Sequence, residues 1–163
     1  MLDITTFLEK NSVKDICRLV YVKDGMAVAT DSFKLIEIKL DDFCKENILN
    51  GYYEIKAWKQ MCKAYNAKKQ DLKTFMEVIN ENNETITTHK DTEYPNYEKL
   101  MDSKFKELDL NSYFTKKHLI AFIEILPELS FQRIKLSDIQ DNGNMIKFEN
   151  KDMRIVLMKC RVE

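Results

Sequence analysis

The sequence predicts an α+β fold in which helices lie on one face of antiparallel sheet. Two observations carry this. Apolar periodicity switches back and forth between helix and strand spacing, and the switch recurs along the 163 residues. The recurring unit also keeps one order, a helical stripe and then about three or four short strands, which suits helices segregated to one side of a sheet.

The elements follow in order. Ile4, Phe7 and Leu8 fall at i, i+3, i+4, the stripe of a short amphipathic helix. Leu19 to Val22 reads as a strand, Asp24-Gly25 as a hairpin turn and Met26 to Thr30 as a second strand. Phe33 to Leu40 is a third, with Ile36, Ile38 and Leu40 alternating with Glu37 and Lys39. The second round opens with a short strand, Tyr52 to Ile55. Trp58, Met61, Cys62 and Tyr65 then give a full i, i+3, i+4, i+7 stripe. Thr74 to Ile79 reads as a strand, Asn80 to Asn83 as a turn and Thr85 to His89 as another strand. The third round starts at Glu107 to Asn111, and Leu119, Phe122, Ile123 and Leu126 repeat the helical stripe. Phe131 to Ser137 is a strand, Asp141-Asn142-Gly143-Asn144 a turn, and Met145 to Phe148 and Met153 to Met158 are closing strands. This divides the chain into a two-unit domain over 1–101 (units 1–50 and 51–101) and a half-domain unit over 102–163. Tyr94-Pro95-Asn96-Tyr97 reads as an extended connector, because Pro95 disfavours helix at Tyr94.

Composition narrows the function. A net charge of -1 excludes a strongly basic nucleic-acid binder on average charge, though not a local basic patch. Hydrophobic residues at 44% suffice for a core. Gly25, Gly51 and Gly143 are the only glycines, and they form neither a P-loop nor a dinucleotide fingerprint. Cys17, Cys44, Cys62 and Cys160 form no CxxC pair and match no zinc framework, so reduced, mostly buried thiols are expected. His89 and His118 stand alone. Asp41 and Asp42, read as strand neighbours, point to opposite faces. No Ser-His-Asp, metal or paired-carboxylate constellation stands out, so neither enzyme, metal nor cofactor is expected. Met1 to Asn11 is too charged for a signal peptide, and no apolar run approaches the roughly 18 residues of a membrane span. A soluble, cytoplasmic protein is expected.

Charge is distributed unevenly. Residues 56–73 hold Lys56, Lys59, Lys63, Lys68, Lys69 and Lys73 against Asp71, a local balance of +5. Trp58, Met61, Cys62 and Tyr65 occupy the apolar side of that helix, which pushes the lysines outward. The third helix begins with Lys116 and Lys117. Such a face is what a protein riding on phosphates requires.

Three stretches resemble the bacterial DNA polymerase III beta subunit, the sliding clamp, and its small phage-encoded relatives. Tyr21 to Leu35, ending Thr30-Asp31-Ser32-Phe33-Lys34-Leu35, is similar to the clamp's strand pair closing in T-D-G-H-R-L. Tyr94-Pro95-Asn96-Tyr97 is similar to F-P-D-Y, and Ile155 to Val162 to the C-terminal strand and its M-P-M-R-L tail. Ser32 and Phe33 replace the motif's Gly and His, and Lys159 and Cys160 replace Pro and Met of the tail. The resemblance implies a DNA-clamp fold without catalysis, helices facing double-stranded DNA and touching phosphates without reading sequence. It also implies a groove for short peptides of polymerases and other replication proteins, at Thr30, Lys34, Leu35, Pro95, Met158 and Arg161. Leu35 and Met158 read equally well as strand core. With three units instead of six, a ring would require a homo-oligomer. The alternative is a stand-alone clamp-fold binding module that never encircles DNA and modulates replication proteins.

Overall fold

The computed structural model describes residues 1–82, 94, 96–104, 106–107, 114, 116–125 and 139–159. They form a mixed α+β fold. Eight strands build one sheet: β1 (Leu19–Lys23), β2 (Met26–Thr30), β3 (Lys34–Lys39), β4 (Gly51–Glu54), β5 (Lys106–Glu107), β6 (Ile139–Asp141), β7 (Met145–Glu149) and β8 (Met153–Met158). Their order is β4-β1-β2-β3-β8-β7-β6-β5, and every neighbouring pair is antiparallel. Outward from the β3–β8 seam, each half is a three-strand meander ended by a short strand. The seam pairs Lys34 with Leu157 and Ile38 with Met153, so the sheet continues across the boundary expected at 101/102.

Turn chemistry explains the meanders. Asp24 (φ 51°) and Gly25 (φ 78°) both sit at positive φ, the requirement of a two-residue hairpin turn whose twist matches its strands. Gly143 (φ 89°) does the same work between β6 and β7, helped by Asp141 Oδ1 accepting from Gly143 N–H at 2.6 Å.

The helices are α1 (Asp42–Asn47), α2 (Ile55–Ala67), α3 (Lys69–Asn82), α4 (Glu98–Met101) and α5 (Lys116–Ile125). Strand alternation sorts the side chains onto two faces. Val20, Val22, Ala27, Ala29, Ile36, Ile38, Ile155 and Leu157 point inward and meet Trp58, Met61 and Cys62 of α2, Leu72 and Met76 of α3, and Ala121 and Ile125 of α5. Ile4 and Phe7 join this core, but the short helix expected there is a three-residue 3-10 turn, Thr5–Phe7, with Ile4 at its N-cap. The opposite face carries a smaller cluster of Val28, Leu35, Met101 and Val156, roofed by Tyr94, Tyr97 and Leu100. The three longer helices thus share one face, and α4 lies on the other.

Two expectations are corrected. The strand expected over Thr74 to Ile79 lies inside α3. Its β-forming composition is overridden because Leu72, Phe75 and Met76 fall at i, i+3, i+4 and bury against the core. Asp41 and Asp42 are not strand neighbours: Asp41 caps α1, its Oδ1 accepting from Cys44 N–H at 2.9 Å, and Asp42 begins the helix. The strands expected over Thr85 to His89 and Phe131 to Ser137 lie outside the described residues. Cys17, Cys44 and Cys62 are buried thiols outside any disulfide, and burial pushes the Cys44 thiol up to about 12. Among the described residues, no helix is long and apolar enough to cross a membrane.

Candidate nucleic-acid interface

Lys56, Lys59 and Lys63 are exposed on α2, on the side opposite Trp58, Met61 and Cys62. Their i, i+3, i+7 spacing makes one stripe. Lys68 ends α2 and is exposed. Lys69 and Lys73 are exposed on α3, which starts at once instead of giving way to a loop. Lys116 and Lys117 are exposed in the first turn of α5.

Three of these lysines already face carboxylates. Lys59 Nζ lies 3.9 Å from Asp3 Oδ2 and Lys69 Nζ lies 2.9 Å from Asp41 Oδ2, while Lys117 pairs with Glu9. Asp3 and Glu9 belong to the N-terminal segment. Trp58 Nε1 donates to Leu2 O at 3.3 Å and Met1 N to Asn66 Oδ1 at 2.6 Å, so this segment runs along α2. It places two acids against the basic layer. Lys69 has a second contact, since its ammonium also sits 5.2 Å from the Tyr65 ring centroid. The Asp41 hydrogen bond raises the Lys69 pKa. Burial works to raise the Asp41 carboxyl, but hydrogen bonds from Tyr65 and Lys69 prevail and hold it well below the usual range. Glu9 is lowered chiefly by its bond from Lys117. Lys56, Lys63, Lys68, Lys73 and Lys116 make no ion pair with another described residue.

The expected peptide-groove residues do not all share a surface. Pro95 and Arg161 lie outside the described residues. Leu35 belongs to the outer-face cluster, only 6% exposed beneath Tyr94, Tyr97 and Leu100. Thr30 is buried, and its hydroxyl donates to Lys34 O at 2.8 Å. Met158 is 38% exposed, and its N–H donates to Phe33 O at 2.8 Å beside the 57% exposed Phe33 side chain.

Lys34 is turned the other way. It pairs with Leu157 on the inner face, its side chain 1% exposed and its ammonium 2.5 Å from Asp31 Oδ2. One step along a strand separates Leu35 from Lys34, and that step changes face. Asp31 Oδ1 also accepts from Phe33 and Lys34 N–H, both at 2.9 Å. Burial opposes ionisation of Asp31, but the Lys34 ammonium and these amides prevail and lower its pKa. The turn puts Ser32 at φ 78°, the left-handed region, where the resembling motif has Gly. His118 of α5 stacks on Phe33 with ring centroids 5.5 Å apart and places Nε2 3.8 Å from Asp31 Oδ2. Burial lowers its pKa.

Sequence reasoning missed two features. On the outer face Arg154 Nε donates to buried Glu37 Oε1 at 2.5 Å, and Arg154 Nη1 reaches Asp102 at 3.5 Å, latching the segment after α4 to the seam. Their signal was the opposite charge of two strand residues, but pairing them required the β3–β8 register. At the far end of the sheet, Lys10 and Arg18 join Lys56 and Lys59 around a cleft. Nothing in the local sequence of Lys10 and Arg18 announced it. Among the described residues, no group of three or more His, Cys, Asp or Glu side chains is placed to hold a metal ion. Comparisons with protein-family models, with curated proteins and with solved structures found no match to this chain.

Proposed function

We propose that this protein is a sliding-clamp-like, non-enzymatic DNA-replication scaffold that holds double-stranded DNA non-specifically against its helical layer. The observation that carries this reading is the exposed lysine array of α2, α3 and α5 on the helix-covered face of a sheet, in a chain of net charge -1. Support comes from the two matched halves of the sheet and from Ser32, whose backbone adopts the positive φ that a glycine of the resembling motif would favour. The lysines meet phosphates, which carry no sequence information. A partner peptide from a replication protein docks beside Met158 and Phe33, two exposed apolar residues held together by the Met158 N–H to Phe33 O hydrogen bond. Self-association of several copies completes the reading, and light scattering on the purified chain measures it.

The test is fluorescence anisotropy on random-sequence duplex DNA across a salt series. The five lysines that make no ion pair with another described residue give an expected slope of log affinity against log salt of about -4.5 if all meet phosphates. Lys56→Glu, Lys63→Glu, Lys68→Glu and Lys73→Glu together abolish binding and leave the fold intact by circular dichroism. Wild type with no affinity at low salt overturns the DNA reading. The stand-alone clamp-fold module, binding a partner through Met158 and Phe33 without DNA, then replaces it.

A further inference from the structure

A cleft of about 570 Å³ opens where β4 passes directly into α2. Lys10, Arg18, Lys56 and Lys59 line it together with Glu54. The fold assembles them from separate segments. Glu9 N–H donates to Cys17 O at 2.8 Å, which closes the 9–17 loop and sets Lys10 and Arg18 at its two feet. Leu19 pairs with Glu54 across β1 and β4, which carries Arg18 to the start of α2. There Lys56 and Lys59, at i, i+3, face the same opening. Lys59 has Asp3 at 3.9 Å, whereas Lys10 and Lys56 make no ion pair with another described residue.

Like charges gathered around a concavity repel one another, and the concave shape focuses their field on its interior. A ligand with neighbouring negative charges relieves that repulsion, and a guanidinium beside ammonium groups is the donor set that phosphate oxygens prefer. The volume falls within the range of small-ligand sites, about 300–1,000 Å³. We propose that this cleft binds neighbouring phosphate groups, either the polyphosphate of a free nucleotide or the 5′-phosphorylated end of a DNA strand. The site goes beyond the DNA reading above, although it shares Lys56 and Lys59 with it.

The experiment is isothermal titration of the full chain with sodium tripolyphosphate at constant ionic strength. Saturable binding is expected. Lys10→Gln with Arg18→Gln weakens it by roughly tenfold or more, the loss that follows from removing charge-assisted hydrogen bonds. Lys68→Gln with Lys73→Gln, which removes the same charge away from the cleft, leaves it unchanged. Absence of saturable binding overturns the proposal. So does an equal loss in both pairs, since that marks diffuse charge and no site. If the first pair fails to fold by circular dichroism, Lys10→Gln with Lys56→Gln takes its place under the same criteria. Short duplexes with and without a 5′-phosphate then compete against tripolyphosphate. Displacement by the phosphorylated duplex alone assigns the cleft to strand ends, and displacement by neither assigns it to free polyphosphate. Tripolyphosphate binding in a protein that ignores DNA supports the cleft while overturning the DNA reading, so the two fail separately.

Discussion

Lys34→Met leaves a carboxylate with no cation in a place water does not reach. Asp31 is 3% exposed in its side chain and Lys34 1%, and Lys34 Nζ is the ammonium bonded to Asp31 Oδ2, at 2.5 Å. Methionine matches the aliphatic stem and keeps contact with the Phe7 ring, over which the ammonium now sits at 5.8 Å. The loss is therefore mostly electrostatic. Breaking a buried pair from one side costs about 3–5 kcal/mol, a large share of a typical domain stability of about 5–15 kcal/mol. The pH dependence sharpens the test. In wild type the Asp31 pKa is lowered, so its contribution is fully present above the ordinary carboxylate value of about 3.9 and is lost only as pH falls through the lower folded value. Wild type thus owes no change between pH 7 and pH 5 to this group. In the variant burial is opposed only by the two backbone amides and raises Asp31 relative to wild type, so stability returns as pH falls, by up to about 1.4 kcal/mol per pH unit. His118, 3.8 Å from Asp31 and relieved of Lys34 as a positive neighbour, protonates more readily and assists at the lower pH. Urea denaturation at pH 7 and pH 5 reads both effects. Asp31→Asn added to Lys34→Met recovers most of the loss, because no unpaired charge remains. A loss under about 1 kcal/mol that is identical at both pH values refutes the reasoning and shows the pair to behave as a solvated one.

Four further outcomes follow from the same geometry. Ser32→Gly raises stability by roughly 1 kcal/mol, since the residue sits at φ 78°, and a thermal melt that does not rise counts against the strain. Glu9→Gln frees Lys117 and steepens the DNA salt slope by about 0.9, and an unchanged slope means that Lys117 does not touch phosphate. Leu35→Ala destabilises by about 2–5 kcal/mol because the side chain is buried beneath Tyr94 and Tyr97, whereas Met158→Ala changes stability little and weakens a clamp-binding peptide. Equal effects on chemical denaturation would contradict their different burial. Asp41→Ala removes the cap of α1 and costs about 0.5–2 kcal/mol, read by far-UV circular dichroism during denaturation.

The sequence by itself determined whichever features have local causes. Asp24-Gly25 demanded a hairpin, and the structure has one. Met26 to Thr30 and Met153 to Met158 read as strands, and both strands run over those residues. The stripes at Trp58 to Tyr65 and from Leu119 onward predicted α2 and α5, because helix and strand periods are set by backbone geometry alone. The same stripe predicted that Lys56, Lys59 and Lys63 would be exposed. Tertiary structure decided the rest, because it joins residues that are distant along the chain. The strand-like composition of Thr74 to Ile79 yielded to helix once Leu72 and Met76 had a core to bury against. Lys34 and Leu35 both read as groove residues, yet the β3–β8 register buries one on each face. The countering of Lys59 and Lys117 by Asp3 and Glu9 follows from how the N-terminal segment lies along the helices, that of Lys69 from the Asp41 cap of α1, and the approach of Arg18 to the start of α2 from the β1–β4 pairing. Charge sign is written in the sequence, but which charges meet is a property of distances that exist only after folding.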